Sequence, residues 1–368
     1  MNDRSPDKRR HRVVFVDLAR ALAVVLMVAG HTSGALLASD YRSGPWFEAW
    51  TFQRGLTSGL FLLLSGFAFS LATTRHWSSH LQLSAPVFRR VRRFLLFIVL
   101  GYGLHFPVLD LAELAAASEA QWRSFLAVDV LQLIGVTLLA LQALVFLLRS
   151  RRVFMVATFA VAFLIVTAAP PAWRGDWTAA LPLSLAAYLS PAAGSQFPLF
   201  PWAAYVFVGA GAGQLYARWG AAHLARYATW AMLVPGAALV AAGAAIGSGS
   251  IPSDVAIRTG TCLAVLGIIA HVSRHLAQLP HVFGAVAQES LVVYFVHLCV
   301  VYGSIWNPGL ARLYGEALSL AGTALMAVAV VAAMVALAWH WNRLKHIRPV
   351  AARWISVTAG VVLVARLI

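Results

Sequence analysis

Three ionisable side chains interrupt the first long apolar run of the chain. Asp17, Arg20 and His31 lie in the stretch VDLARALAVVLMVAGH, residues 16–31. Ionisable side chains are expensive in lipid and are therefore candidates for functional sites. A histidine changes its charge near neutral pH, so it can accept a proton and return it. We predict a catalytic role for His31, with Asp17 and Arg20 either supporting it or anchoring the helix at the membrane interface.

Helical spacing puts these three side chains on one face. Arg20 and His31 are eleven positions apart, which is about three turns, or roughly 16 Å along a helix axis. Asp17 precedes Arg20 by three positions, so the two can form an ion pair on that face. The residues around His31 form GHTSG, residues 30–34, and are small or hydroxylic. Such a setting leaves room for a substrate or for another helix.

His297 is the second histidine that we predict to be catalytic. It lies in QESLVVYFVHL, residues 288–298, together with Glu289 and Tyr294. A structural role remains an open alternative for this histidine. For His105, which is surrounded by glycine and proline, we expect a structural or hydrogen-bonding role.

Asp129, Trp46 and Trp202 are the candidates for binding an acceptor substrate. Asp129 forms a polar stripe with Gln132 in AVDVLQLIG, residues 127–135. Its carboxylate can hold a histidine in one tautomer or hydrogen-bond to a neighbouring helix. The two tryptophans lie in connecting segments rich in Trp, Pro and Gly. Such segments are typical of an aromatic belt at the membrane interface, or of a rim on which sugar rings stack.

Four arginines occupy five consecutive positions in SAPVFRRVRRFLLF, residues 84–97. Arginine presents a rigid, permanently charged fork that matches phosphate oxygens. We therefore predict that Arg89, Arg90 and Arg93 hold the phosphates of a cofactor. Binding of anionic lipid, or simple orientation of the chain in the membrane, is the alternative.

Small residues recur along the second apolar run, TSGLFLLLSGFAFSLATT, residues 57–74. Small residues permit close packing of membrane helices, which is the simpler interpretation. Ser65 and Gly66 would equally let a thin ligand arm lie against the backbone. We include both residues among the cofactor-binding candidates.

The elements that must position these residues are membrane helices. The chain has 368 residues, of which 61% are hydrophobic and 11% charged, with a mean hydropathy of +0.77. Soluble domains carry about 25% charged residues. We therefore predict an all-α, polytopic helical bundle in the lipid bilayer, in a bacterial inner or plasma membrane. The net charge of +15 reflects basic loops on one side of the membrane rather than nucleic-acid binding.

Apolar runs long enough to cross a bilayer predict about eleven spans. Most Lys and Arg residues fall in one alternating set of connecting loops, which predicts a cytoplasmic N terminus. The polar start MNDRSPDKRRHR indicates a basic tail at residues 1–12 rather than a cleavable signal peptide. Residues 13–368 are then a single transmembrane domain. The predicted spans are approximately 14–37, 54–73, 94–114, 127–148, 153–170, 198–217, 228–247, 257–272, 286–303, 317–340 and 354–367.

Several motifs, in order along residues 13–303, resemble the transmembrane acyltransferase superfamily. That superfamily includes acyltransferase-3 enzymes and the heparan-alpha-glucosaminide N-acetyltransferase-like (DUF1624) proteins. The first span is similar to the family's opening helix with its Arg-x10-His pattern, LLLSGFAFSL to its second-span signature, and RRVRRFLL to the start of its third span. The segments that look most like the DUF1624 branch are DVLQLIG, FPLFPWAAYVFVGAGAG and SLVVYFVHL.

The resemblance implies an enzyme that moves an acyl group from cytoplasmic acyl-CoA, commonly acetyl-CoA, to a carbohydrate or glycolipid acceptor across the membrane. By position, it implies that His31 is the catalytic histidine and Arg20 its partner. Arg90 and Arg93 match the pair thought to hold the CoA phosphates. We expect no metal and no nucleic-acid partner, and a homodimer stays open. Whether His31 acts as base or nucleophile, and whether the acceptor is a hydroxyl or an amine, also stays open.

Two features depart from that resemblance and leave the acceptor in doubt. Residues 32–75 contain no histidine, and the chain has no fused esterase domain. A transporter or flippase for a sugar-containing or lipid-linked substrate is an alternative, with Arg20, Asp17 and His297 as its relay. A noncatalytic partner in envelope assembly is the third class.

Overall fold

The computed structural model describes residues 13–106, 108, 111–276, 278–304 and 307–367, with side chains up to residue 362. The predicted basic tail at 1–12, Pro107 and Trp306 lie outside the described residues. The described part of the chain contains helices and their connections but no β-strand; its only β-type pairings are two isolated bridges. The predicted all-α class is confirmed.

The described residues form seventeen α-helices. Short 3₁₀ helices lie at Ser39–Tyr41, Trp77–Leu81, Leu111–Ala116 and Pro191–Ala193, and π-helical turns lie at Tyr216–Gly220 and Ala228–Leu233. In chain order the α-helices are α1 (Val14–Leu36), α2 (Pro45–Arg75), α3 (Ala85–Leu104), α4 (Glu119–Leu126), α5 (Val130–Leu148), α6 (Arg151–Arg174), α7 (Trp177–Ala180), α8 (Leu183–Leu189), α9 (Leu199–Leu215), α10 (Leu224–Tyr227), α11 (Val234–Ile246), α12 (Ile251–Ser273), α13 (His281–Gln288), α14 (Ser290–Tyr302), α15 (Gly309–Tyr314), α16 (Leu320–Ile347) and α17 (Pro349–Leu367).

Seven helical segments in the described part of the chain are long and apolar enough to cross a membrane, as expected of an integral multi-pass protein. An eighth span results if the pair α13–α14, bent by 74°, crosses as one unit. The predicted count of eleven is not supported. α3 carries four arginines and ends at Leu104, α9 has only 17 residues, and the apolar part of α17 is the short segment Pro349–Val362. The seven segments are Val14–Leu36, Pro45–Arg75, Val130–Leu148, Arg151–Arg174, Leu224–Ile246, Ile251–Ser273 and Leu320–Ile347.

The chain forms two compact units, which are described separately. The first contains Met1–Thr57 and Val265–Thr358, and the second contains Ser58–Ala264 and Ala359–Ile368. In the first unit α1 packs against α13, α14, α15 and α16. In the second unit α9 packs against α5 and α6, and α3 packs against α5.

The C-terminal end of α1 is fastened within the first unit. The Leu318 amide donates to the Leu36 carbonyl at 2.9 Å, and the Ala38 amide donates to the Leu318 carbonyl at 3.0 Å. Arg42 donates to the carbonyls of Gly34 and Leu37, both at 2.9 Å. These bonds satisfy carbonyls that a helix end otherwise leaves unpaired. The end of α1 that carries His31 is therefore held in place.

Candidate active site

His31 and its predicted partners share one continuous helix. α1 runs without a break from Val14 to Leu36, so the eleven-residue spacing between Arg20 and His31 does put both on one side of it. Asp17, Arg20 and His31 are each half-buried in the described structure. The face expected from the spacing is thus formed, while the chemical roles of its residues stay predictions.

The structure brings His31 against His297, although 266 positions separate them in the chain. His31 Nδ1 lies 2.8 Å from His297 Nε2. The two rings are stacked, with centroids 5.1 Å apart and planes inclined by 16°. His297 is fully buried, at 0% exposure, whereas His31 is half-buried, so the hydrogen bond is part-buried.

The backbone determines which ring nitrogens carry protons in this pair. His297 Nδ1 lies 2.8 Å from the Val293 carbonyl oxygen, which can only accept, so Nδ1 must donate. The neutral His297 ring then has its lone pair on Nε2, and His31 Nδ1 must donate to it. A neutral His31 consequently has its basic lone pair on Nε2. This chain of hydrogen bonds sets one tautomer of His31.

Two tyrosine rings border the histidine pair. Tyr302 meets His31 edge-on, with centroids 5.9 Å apart, and Tyr294 meets His297 edge-on at 5.7 Å. Both belong to α14, which also carries His297. The aromatic walls limit the orientations that the two imidazole rings can adopt.

A buried carboxylate holds the beginning of α14. Glu289 stands at the break between α13 and α14 and is only 2% exposed. It accepts from Asn342 Nδ2 at 2.9 Å, and its carboxylate oxygens lie 2.8 and 2.9 Å from Lys345 Nζ. A buried carboxylate needs such partners, because desolvation of a charge is costly. The network ties α14 to α16 and so fixes the helix that positions His297.

An apolar crevice lies beside α1 and α14, the helices that carry His31 and His297. Val24, Val25 and Val28 of α1 line it, so on that helix it lies between Arg20 and His31. Val293, whose carbonyl holds His297, also lines it. The lining is entirely aliphatic or thioether, so the lining side chains offer no strong hydrogen-bonding partner. The remaining lining residues are Val286, Val331, Met334 and Val335.

The predicted phosphate-binding arginines lie at the start of α3 in the second unit. Arg90 Nη1 donates to Thr73 Oγ1 at 2.7 Å, and its guanidinium carbon lies 5.2 Å from the Phe69 ring centroid. Burial, followed by the charge of Arg93, lowers the pKa of Arg90 to about 10. Arg89 and Arg93 are exposed. Arg90 is thus engaged with the protein, and Arg89 and Arg93 are the better of the three predicted candidates for phosphate.

Gly66 serves helix packing rather than ligand binding. A Cβ added there would collide with the carbonyl oxygen of Val206 in α9, and one on Gly209 would collide with that of Leu63. Backbone fills the space next to Gly66, which favours the packing interpretation of this residue. Ser65 donates to a carbonyl one turn back in its own helix.

Asp129 meets a histidine, as one of its two interpretations expects. It caps α5 by accepting from the Val130 amide at 2.7 Å, and its other oxygen lies 3.4 Å from His105 Nε2. In the same unit Trp202 lies against Phe197, with ring centroids 4.9 Å apart. Trp46, in the first unit, is 89% exposed. Binding of an acceptor by these residues stays a prediction.

Residues 12–246 match the family model described as "Heparan-alpha-glucosaminide N-acetyltransferase, catalytic". The match covers more than half of the chain. The chain belongs to the heparan-alpha-glucosaminide N-acetyltransferase family. No curated protein sequence matches the chain closely enough to add a relative. The broader resemblance to acyltransferase-3 enzymes stays a prediction.

Membership of this family makes the protein a membrane acetyltransferase, an enzyme that transfers acetyl groups. The matched residues include His31 but end before His297. Among the described residues, no three His, Cys, Asp or Glu side chains are arranged to hold a metal ion. A role of the histidine pair in proton transfer by this acetyltransferase stays a prediction.

The sequence did not single out Lys345 or Tyr302 of this family member. Lys345 belongs to a basic segment that membrane orientation alone explains. Tyr302 resembles any interfacial aromatic residue. The sequence signal that could have pointed to Lys345 is the acid Glu289 within an apolar run, because such an acid needs a cationic partner.

Proposed function

We propose that the protein transfers an acetyl group from cytoplasmic acetyl-CoA to a sugar hydroxyl or amine outside the cytoplasm, with His31 as general base. The observation that carries this proposal is the hydrogen bond from His31 Nδ1 to His297 Nε2 at 2.8 Å. It directs the basic Nε2 of His31 away from His297. Membership of an acetyltransferase family supplies the reaction class.

The proposed step is a direct acyl transfer. The acceptor oxygen or nitrogen attacks the thioester carbonyl carbon while His31 Nε2 removes its proton. The carbon–sulfur bond then breaks, the acetylated sugar forms, and the CoA thiolate takes the proton from His31. During the step the imidazolium of His31 keeps its Nδ1 proton in the hydrogen bond to His297, as a base held by a second residue does.

Arg89 and Arg93 are proposed to bind the phosphates of the donor. Both are exposed, and a guanidinium offers paired donors that match phosphate oxygens. The proposal requires this arginine cluster to face the cytoplasm, the side on which basic segments next to membrane helices concentrate. The amine of a glucosaminide is the first acceptor to test, because the family name refers to N-acetylation of that sugar.

Purified protein with acetyl-CoA and glucosamine tests the reaction. We expect release of the free CoA thiol and a sugar that is heavier by one acetyl group in mass spectrometry. His31→Ala should reduce turnover by about 100-fold or more, as loss of a general base does. Absence of turnover and of CoA binding in the wild type, or full activity of a folded His31→Ala variant, would refute the proposal.

The donor site has its own test. Arg89→Gln and Arg93→Gln should each raise KM for acetyl-CoA several-fold without changing kcat. Acetyl-pantetheine, which lacks the nucleotide phosphates, should show no such change. Arg174→Gln removes an exposed arginine at the end of α6 and serves as the matched control. An equal effect of Arg174→Gln on KM would show that net charge, not a phosphate contact, is responsible.

A further inference from the structure

An arginine of α2 lies along the face of α1 next to His31. A Cβ added to Gly30 would lie 3.5 Å from Arg54 Cγ, and one added to Gly34 would lie 2.8 Å from Nη2 and 3.0 Å from Cζ. The Arg54 side chain therefore runs parallel to α1 from Gly30 to Gly34. Gly34 leaves the space that the guanidinium occupies, whereas a methyl group at Gly30 would meet Arg54 only at ordinary contact distance.

The guanidinium of Arg54 is close to His31. On a helix, residues three apart have Cβ atoms about 5–6 Å apart, which applies to His31 and Gly34. Since Cζ is within 3.0 Å of the position of a Gly34 Cβ, it lies no more than about 9 Å from His31 Cβ. The imidazole and the guanidinium can both reach a molecule of acetyl size that stands against this part of α1.

Arg54 differs from the other arginine that reaches Gly34. Arg42 donates to the Gly34 and Leu37 carbonyls, and its Nη1 lies 3.1 Å from Glu316 Oε1. Arg54 has no ion pair or hydrogen bond with the part of the chain that the structure describes. It is half-buried within a segment apolar enough to cross a membrane, where a charge without a partner is costly. A helix-capping role thus accounts for Arg42 but not for Arg54.

We propose that Arg54 is a second catalytic residue, which donates hydrogen bonds to the thioester carbonyl oxygen as negative charge develops on it. This inference rests on the proposed function. When the acceptor attacks the carbonyl carbon, the carbonyl π electrons move to the oxygen, and His31 takes the acceptor's proton. The guanidinium stabilises that oxyanion until the carbon–sulfur bond breaks and the charge leaves with the thiolate. Fixed donors for a developing oxyanion are commonly the largest catalytic term.

Four variants test this role, measured by CoA release with acetyl-CoA and glucosamine. Arg54→Gln should lower kcat by about 100-fold, the usual effect of losing an oxyanion donor, with KM for acetyl-CoA unchanged. Arg54→Lys should recover part of kcat, because a cation remains. Gly34→Ala should lower kcat by about tenfold, since the added methyl group displaces the guanidinium. Gly30→Ala adds a methyl group at ordinary contact distance and should stay within about twofold of the wild type.

Arg42→Gln is the matched control for loss of an arginine at Gly34. It should lower the melting temperature while leaving kcat within about threefold, because it removes helix-capping bonds. The proposal is overturned if folded Arg54→Gln retains its kcat, if it raises only KM for the sugar, or if Gly30→Ala and Gly34→Ala lose activity equally. Absence of CoA binding and of turnover in the wild type would instead overturn the proposed function. The failure of the Arg54 proposal and the failure of the proposed function are therefore distinguishable.

Discussion

Replacing His297 by leucine tests the hydrogen-bond chain that sets the tautomer of His31. The substitution removes the acceptor of the 2.8 Å bond and the link to the Val293 carbonyl, yet retains an apolar side chain in the buried site. His31 remains in place but its Nδ1 proton loses its partner. We expect activity to fall because the ring no longer prefers the tautomer with a basic Nε2.

The magnitude follows from the burial of the site. His297 is 0% exposed and His31 is half-buried, so water can replace the lost acceptor only in part. Leaving a buried donor without a partner costs about 1–3 kcal/mol. Since each 1.4 kcal/mol changes a rate by about tenfold, kcat should fall by about 10- to 100-fold. KM for acetyl-CoA should not change, because the affected bond lies on the base.

The assay is steady-state CoA release, with the folded fraction of each variant measured by thermal unfolding. His297→Gln offers an amide oxygen as an acceptor and should recover part of kcat. Val301→Ala, at another fully buried position of α14, should lower stability without lowering kcat. A His297→Leu variant with wild-type kcat, or a Val301→Ala variant with the same loss per folded molecule, would refute the reasoning.

Three further predictions concern stability and are each read from the midpoint of thermal unfolding. Gly66→Ala should destabilise the protein by about 3 kcal/mol or more, because the added methyl group meets the backbone of α9. Gly103→Ala has open space around the added methyl group and should be neutral or stabilising. Equal unfolding midpoints of the two variants would contradict this prediction. Lys345→Met should cost about 1–3 kcal/mol of stability, because it leaves the buried Glu289 carboxylate without its cation. Glu289→Gln should cost less, since the amide keeps the hydrogen bond from Asn342. A larger loss in Glu289→Gln than in Lys345→Met would contradict this prediction. Burial lowers the pKa of His80 from 6.5 to about 4, so between these pH values only the unfolded chain binds a proton at His80. Stability should therefore decrease by up to about 3 kcal/mol as the pH is lowered from 6.5 to 4. His80→Gln should flatten this profile, and an unchanged profile in that variant would rule out His80 as the cause.

Composition and periodicity were sufficient for the fold class and for one helix face. The apolar content requires a backbone that satisfies its own hydrogen bonds, so an all-helical membrane protein follows from the sequence. The eleven-residue spacing of Arg20 and His31 is local information, because a single helix determines it. The number of spans was not determined in this way, since hydropathy alone overlooks the arginines of α3 and the 74° bend at Glu289.

Only the tertiary structure decided which residues meet. The pairing of His31 with His297 joins positions 266 residues apart, and no periodic pattern encodes a contact between two separate helices. The same holds for Gly66, which small-residue spacing left open between packing and ligand binding until α9 was seen to cover it. The sequence determined which side chains can do chemistry and on which helix face they lie. Helix packing determined their partners, because a contact depends on the crossing of two surfaces rather than on the sequence of either one.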